Sequence, residues 1–178
     1  GVTGACTYDQ STEECASGCY EGACTSIDVV ISELHYNPGS AQGSDSDYEF
    51  IELYTAGDTV NLEGYRFTSG ITHTFGSQVF ESGTYLVVTI NAASYADLSV
   101  PVVQWDSGGI NNSGETVTLE DSAGNVVDTV TYDDGGDWPS DADGAGSSVE
   151  LMDLTSDNSL AASWKASEEV GGSPGSAN

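Results

Sequence analysis

The sequence predicts an all-β protein, and three observations lead to this fold class. The first is the segment YEFIELY, Tyr48–Tyr54, in which successive residues alternate between two faces. A period of two is typical of a β-strand. The second is a series of further short segments rich in branched and aromatic residues, separated by Gly, Pro, Asn and Asp. The third is the lack of helical periodicity, since only Asn91–Leu98 is expected to form a helical turn. We therefore expect about nine short strands that pack as a sandwich or a barrel.

The first half of the chain supplies the predicted centre of this fold. Ile27–Tyr36 carries apolar residues on both faces and is followed by the loop Asn37–Asp47. Tyr48–Tyr54 mixes apolar and acidic residues on both faces, so we expect it to be a central strand with carboxylates near its ends. Asn61–Gly70 and Ile71–Phe75 are expected to add further extended segments.

The second half contains the clearest hairpin. Gly83–Ile90 is a continuous apolar run, which predicts a strand buried on both faces. The short segment Val102–Trp105 follows. Ser113–Asp134 alternates apolar and polar residues on either side of a turn at Ala123–Asn125, which indicates two paired strands. The remaining expected elements are two strands and a Gly/Ser/Pro-rich tail: Ser147–Leu154, Ser163–Ser167 and Gly171–Asn178.

The charge balance limits the classes of partner. The 178-residue chain holds 29 acidic residues and two basic ones, Arg66 and Lys165, for a formal net charge of −27. Hydrophobic residues still make up 38% of the chain, which favours a folded core over disorder. No basic patch is available to neutralise phosphates, so we expect no nucleic-acid partner, and an anionic membrane surface is disfavoured. No apolar run approaches the ~20 residues of a membrane-spanning helix. Divalent cations are the expected counter-partners.

Residues 1–26 form a compositionally separate segment that holds all four cysteines, and residues 27–178 form the predicted sandwich domain. Cysteines this dense among Gly, Ser and Thr indicate two disulfides in an oxidising compartment, with three connectivities possible. A zinc site is the alternative, but the spacing lacks two CxxC pairs. The start at Gly1 without a signal segment is typical of a chain processed after secretion or trimmed artificially, and the cysteines favour an extracellular protein. The cysteines are Cys6, Cys15, Cys19 and Cys24.

Several segments occur in an order that resembles the lamin tail domain of bacterial secreted proteins. They are ISELHYNP, DYEFIELY, NLEGYRF, SGETVTLEDSAGNVVDTVTYDDGGDWP, DGAGSSVEL, SWKAS and SPGSAN. The resemblance covers about residues 27–178 and implies an immunoglobulin-like antiparallel β-sandwich. It also implies an accessory or structural module without catalytic residues of its own. The cysteine-rich segment lies outside this resemblance and is more weakly similar to short cysteine clusters of bacterial surface proteins.

The residues themselves also argue against an enzyme. The chain has two histidines, His35 and His73, which we expect at the surface or rim of the sandwich, whereas a serine triad requires a histidine beside a carboxylate and an activated serine. Close carboxylate pairs are expected by chance among 29 acidic residues, so proximity alone does not indicate glycosidase chemistry. The scarcity of Arg and Lys leaves few groups to stabilise a developing oxyanion.

Acidic loops make calcium the candidate cofactor. Calcium takes six to eight oxygen ligands, and the Gly-rich loop after residue 132 concentrates five aspartates. The alternative is a solvated acidic loop. Glu33 and Glu52 lie on strands, from which they reach such a site or point to water. The candidate ligands, with the leading cluster first, are Asp133, Asp134, Asp137, Asp141, Asp143, Asp45, Asp47 and Glu49.

Exposed aromatic residues are the candidates for ligand contact. Trp105 and Trp138 are the candidate binding residues. Core packing is the favoured role for Trp138 and Trp164, and for Trp105 it is weighed equally with binding. Lys165 is expected to be exposed or salt-bridged, and an isopeptide crosslink is its alternative. Asn111 begins a glycosylation sequon.

These observations lead to two hypotheses. The first is a non-catalytic extracellular structural protein that self-assembles into a filament or surface layer through its sandwich and an N-terminal arm, with divalent cations offsetting its charge. The second is a carbohydrate- or protein-binding module of a secreted or cell-surface system, whose partner is a polysaccharide or a surface protein.

Overall fold

A computed structural model of the chain describes residues 4–8, 11–15, 19–20, 23–24 and 29–178, and for the first four ranges it describes the backbone only. The architecture is all-β, as predicted. The strands are β1 Gly4–Tyr8, β2 Ser11–Cys15, β3 Cys19–Tyr20, β4 Ala23–Cys24, β5 Val29–His35, β6 Phe50–Thr55, β7 Val60–Asn61, β8 Arg66–Ser69, β9 Ile71–Thr74, β10 Val79–Phe80, β11 Tyr85–Thr89, β12 Val102–Gln104, β13 Ser107–Gly108, β14 Glu115–Glu120, β15 Val126–Tyr132, β16 Val149–Leu151 and β17 Trp164–Ala166.

Two sheets make up the sandwich. The large sheet has six strands in the order β12-β11-β6-β5-β16-β17, and the small sheet has five in the order β13-β9-β8-β14-β15. Strand pairs are antiparallel except for β11 and β12, which run parallel. Strand β6 lies between β11 and β5, so the central position expected for YEFIELY is confirmed. Strands β14 and β15 form the predicted hairpin.

The core lies between the inward faces of the two sheets. Period-two alternation puts Ile51 and Leu53 of β6 in one buried apolar cluster with Val117 and Leu119 of β14. Each of these side chains is fully buried, and burying one of this size stabilises the fold by roughly 1.5–3 kcal/mol. The apolar residues Val117 and Leu119 of β14 therefore face the core.

The outer face of the large sheet is also covered, which explains the apolar residues on both faces of β6. Phe50 and Val87 form a second buried cluster with Tyr95, which lies in the 3-10 turn Ala92–Tyr95. This turn confirms the helical turn expected at Asn91–Leu98. The other part of the outer face lies under the C-terminal residues 171–178, which we call the tail.

Three further helical turns were not predicted. A one-turn α-helix, α1, spans Asp45–Tyr48 inside the expected loop, and two 3-10 turns span Ser140–Ala142 and Ala161–Ser163. Each is too short for its periodicity to be visible in the sequence. None of the helices within the described part of the chain has the length and apolarity needed to cross a membrane.

Candidate functional site

Three glutamates stand side by side across the large sheet. Glu33 of β5 is the cross-strand partner of Glu52 of β6, and Glu150 of β16 is paired with Glu33 on its other side. Lys165 of β17 is paired with Glu150 at the end of this row. We call Glu52, Glu33 and Glu150 the carboxylate row. Like charges directly opposite each other on neighbouring strands are destabilising, so the row requires compensation from its surroundings.

A β-bulge in β5 sets the direction in which the row faces. The register shifts between Ile31 and Glu33, so Ser32 is an extra residue on this strand. Ile31 and Leu34 are therefore opposite the core residues of β6, while Glu33 is opposite Glu52 on the outer face. Strict alternation along β5 cannot predict this arrangement, because the bulge breaks the period of two.

The tail closes over the row and donates hydrogen bonds to it. The backbone N–H of Ser173 donates to Glu33 Oε1 at 3.0 Å, and that of Gly175 donates to Glu52 Oε2 at 2.6 Å. The Ser173 hydroxyl donates to Glu150 Oε1 at 2.8 Å. Each member of the row therefore binds the tail directly.

Side chains near the row donate further hydrogen bonds to it, although Glu33 Oε2 has no partner among the described residues. Ser32 Oγ donates to Glu52 Oε1 at 2.6 Å, and Ser148 Oγ donates to Glu33 Oε1. Lys165 Nζ lies 3.3 Å from Glu150 Oε2, which places the lysine in the salt-bridged state expected for it.

The composition of the tail follows from how closely it packs against Glu33 of the row and against Val100. Gly172 has φ +75°, and a Cβ there would lie within 1.9 Å of Glu33 Oε1. Gly175 has φ +85°, and a Cβ there would lie 2.8 Å from Val100. Both positions therefore require glycine. The tail ends with Asn178, whose side-chain amide donates to the Ser32 carbonyl at 2.9 Å.

Burial shifts the protonation of the row. Glu33 and Glu52 are fully buried. Burial, with a smaller contribution from the Glu52 charge, raises the pKa of Glu33 well above its usual value. Burial also raises the pKa of Glu52 to about 8, against the opposing effect of its hydrogen bonds from Ser32 and Gly175. The protonated form of Glu52 is therefore favoured at neutral pH. The tail covers the row in this conformation, and its hydrogen bonds to the row attach it to the sheet.

These carboxylates correct one part of the sequence interpretation. Glu33 and Glu52 were expected to reach a loop site or point to water, and instead they are buried under the tail. The sequence signal was present, since each glutamate interrupts a strand that is apolar on both faces. Glu150 in VEL of β16 shows the same signal.

A cavity opens beside the tip of the tail. It has a volume of about 530 Å³, and its lining includes Tyr54, Tyr85, Met152, Asp153 and Asn178. The two tyrosine rings lie 4.9 Å apart between centroids and are tilted by 50°. We call this the tyrosine cleft.

Asp153 is ionised at the rim of the tyrosine cleft. Its Oδ1 accepts hydrogen bonds from the backbone N–H and the hydroxyl of Thr155, at 2.9 and 2.8 Å. These bonds lower the pKa of Asp153. Because both bonds end on Oδ1, the other carboxylate oxygen is available to a ligand.

A smaller cavity of about 160 Å³ lies on the other side of the tail tip. Ala177 and Asn178 line both cavities. The smaller one is also lined by Glu150, Lys165, Glu168 and Glu169.

The leading calcium candidates lie around one loop, but among the described residues their carboxylates do not form a group of metal ligands. The pKa of Asp134 is raised, chiefly by a hydrogen bond with Asp133, so these two carboxyl groups form a pair. Asp143 Oδ1 accepts a hydrogen bond from Asn37 at 2.5 Å. Asp137 and Asp141 are exposed. Within the described residues, no three His, Cys, Asp or Glu side chains are grouped so that they could hold a metal ion.

The second calcium cluster is spread over three different partners. Asp45 accepts a hydrogen bond from Asn112 at 3.0 Å, and Asp47 accepts one from Asn91 at 3.1 Å. Glu49 is buried, its Oε2 accepts from the Ile110 backbone N–H at 2.9 Å, and burial raises its pKa to about 7. Calcium at either cluster stays a prediction.

Two expectations about aromatic and histidine side chains are wrong. Trp105 was assigned to binding but is buried, and its indole N–H donates to the Gly108 carbonyl at 3.1 Å. His35 and His73 were expected at the surface, and both are buried. Trp138 is half-buried, with its ring 5.7 Å from that of Trp164, so its packing role is favoured over its assigned binding role. The four cysteine side chains lie outside what the structure describes.

Fold and site together define a largely antiparallel β-sandwich in which buried carboxyl groups bind the C-terminal tail. The family model of the lamin tail domain matches residues 23–134, which is more than half of the chain. The protein therefore belongs to the lamin tail domain family, a family of non-catalytic, immunoglobulin-like domains. No curated protein matches the chain. Strands β16 and β17 and the tail lie beyond the matched region and complete the site.

Proposed function

We propose that this protein is a non-catalytic, extracellular structural subunit that assembles with copies of itself, with divalent cations offsetting its charge. Family membership supports the non-catalytic part. The observation that carries the assembly part is β15, a seven-residue strand at one edge of the small sheet. Alternate backbone N–H and C=O groups of an edge strand point away from its sheet and can pair with another chain.

The surface beside this edge is suited to contact between acidic molecules because it carries little charge. Thr129 and Thr131 of β15 are exposed and lie beside Thr118 and Thr116 of β14, with hydroxyl oxygens 3.1 and 2.8 Å apart. Two copies with a net charge of −27 repel each other least where uncharged surfaces meet. Val126, at the start of β15, is 59% exposed.

The proposed partner of β15 is the N-terminal segment, residues 1–26, of a neighbouring copy. Strand addition by an arm joins sandwich domains head to tail, and a head-to-tail contact that does not close gives a filament. Divalent cations lower the repulsion between the copies.

The test is assembly of matched variants, followed by electron microscopy and sedimentation velocity. The Thr129 backbone N–H donates a hydrogen bond to Asp128 Oδ1 at 2.8 Å instead of to β14, so N–H groups at this phase of β15 point away from β14. Thr131 lies two residues on, and Thr131→Pro removes its N–H, while Thr131→Val keeps it. We expect wild type and Thr131→Val to form filaments in millimolar calcium and Thr131→Pro to stay monomeric. Wild type that stays monomeric at high concentration in calcium contradicts the proposal.

A binding module is the second candidate function, and the tyrosine cleft favours it. Aromatic rings beside a few polar groups are typical of ligand sites, and a volume of about 530 Å³ is within their usual range. A ligand-induced shift of the Tyr54 and Tyr85 ring signals in NMR spectra would support this candidate, and Thr131→Pro should not affect it.

A further inference from the structure

The tyrosine cleft combines two features that select the charge of a ligand. Tyr54 and Tyr85 present aromatic rings, whose faces attract cations. Asp153 adds an ionised carboxylate at the rim, and no basic residue belongs to the lining. The cleft therefore favours a positively charged group over a neutral or negative one.

The surroundings of the cleft also favour a positively charged ligand. The smaller cavity across the tail tip holds Glu150, Glu168 and Glu169, and its only basic residue, Lys165, is already paired with Glu150. The whole chain carries a net charge of −27, which attracts cations to the surface and repels anions. The charges on both sides of the tail tip are thus complementary to a positively charged ligand.

We propose that the tyrosine cleft binds the cationic side chain, lysine or arginine, of a partner protein, with the charged group against Tyr54 and Tyr85 and beside Asp153. This inference rests on the second candidate function and names its ligand class. The partner differs from the chain itself, because the two basic residues of this chain are both ion-paired, Lys165 with Glu150 and Arg66 with Glu120. A single cation–aromatic contact with one carboxylate is weak, so we expect a Kd on the order of 1 mM for one lysine.

The test uses a blocked peptide with one lysine between glycines and, as its control, the same peptide with the lysine acetylated on Nζ. The ring signals of Tyr54 and Tyr85 are followed by NMR at ~0.15 M salt, where long-range electrostatics are screened. We expect saturable shifts with the lysine peptide and none with the acetylated one.

Matched variants separate the cleft from the acidic surface. Asp153→Asn is expected to weaken binding at least about threefold. Asp97→Asn removes the same charge from an exposed residue outside the cleft and is expected to leave binding unchanged. Tyr85→Phe keeps the aromatic ring and should retain binding, whereas Tyr85→Ala should lose it. If Tyr85→Ala fails to fold, the Asp153→Asn and Asp97→Asn pair still decides the result.

Three outcomes overturn the proposal. Equal weakening by Asp97→Asn and Asp153→Asn shows non-specific attraction to an acidic surface. Shifts caused equally by the acetylated peptide, or by methyl glucoside alone, show that the cleft selects a neutral ligand, and the binding-module function survives in that case. No ring shift with any of these probes removes both the cation site and the binding-module function, while assembly through β15 is tested separately.

Discussion

Two acidic regions of this molecule contain the same kind of side chain in opposite settings. The carboxylate row lies on three neighbouring strands under the tail, whereas Asp133, Asp137, Asp141 and Asp143 lie exposed in a Gly-rich loop. Burial raises the pKa values of Glu33 and Glu52, and the loop aspartates keep their contact with water. The acidic loop can be recognised in the sequence by its many aspartates. The raised pKa values of Glu33 and Glu52 depend instead on their buried positions on the sheet.

The largest expected loss of stability comes from placing a methyl group between the tail and the row. Gly172→Ala places a Cβ against Glu33 Oε1 and also strains a positive φ. We expect a loss of roughly 2–4 kcal/mol of unfolding free energy, or release of the tail, measured by chemical denaturation and amide hydrogen exchange.

The acidic loop offers the control for this glycine. Gly136 has φ +66°, and no atom of the described residues would lie within 4 Å of a Cβ there, so Gly136→Ala tests backbone strain alone. It should cost about 1 kcal/mol. Equal losses of unfolding free energy in Gly172→Ala and Gly136→Ala would show that a Cβ at position 172 does not clash with Glu33.

The second effect is a dependence of stability on pH that comes from the row. The pKa of Glu52 rises from its model-peptide value near 4.5 to about 8 on folding, so the protonated form is favoured in the folded state. This contribution is complete below the unfolded pKa and is lost as pH rises through the folded pKa. We therefore expect the Tm to fall between pH 5 and pH 9.

Glutamine at position 52 isolates this contribution because it resembles a protonated glutamate. Glu52→Gln should have a Tm close to that of wild type at pH 5 and above it at pH 9. Asp141→Asn, in the exposed loop, removes one charge without removing a buried acid, and its Tm should keep the wild-type pH dependence. If the Tm of Glu52→Gln falls with pH as steeply as that of wild type, the pH dependence comes from repulsion among all the acidic residues and not from Glu52.

The third effect concerns the acidic loop rather than the carboxylate row. If Asp133 and Asp134 bind calcium as the sequence predicts, millimolar calcium should raise the Tm beyond the rise given by sodium chloride at equal ionic strength. We expect Asp133→Asn with Asp134→Asn to remove that excess of a few degrees. Glu150→Gln in the row should retain it. An excess that survives the double loop variant would locate the cation elsewhere.

The sequence predicted the sheets better than it predicted what lies on them. The alternation in β6 and in the β14–β15 hairpin reports burial directly, so both were found. The bulge at Ser32 breaks that alternation, which hid the direction of Glu33. The contact between Gly175 and Glu52 joins residues 123 positions apart, and no local pattern encodes such a pair. Trp105 shows the same limit, because a lone tryptophan has no periodicity that distinguishes core from surface.

The smallest effect is expected at the end of the row, where it meets solvent. The Lys165 side chain is 39% exposed, whereas that of Glu150 is 5% exposed. A partly exposed ion pair of this kind contributes up to about 1 kcal/mol. Lys165→Gln should therefore cost less than that at low salt, and the cost should shrink in 1 M sodium chloride, where the Debye length is about 3 Å. A crosslinked lysine behaves differently, because losing a covalent bond costs more and does not depend on salt. A large, salt-independent loss, together with an intact mass one water or ammonia below that of the wild-type sequence, would replace the ion pair with an isopeptide bond.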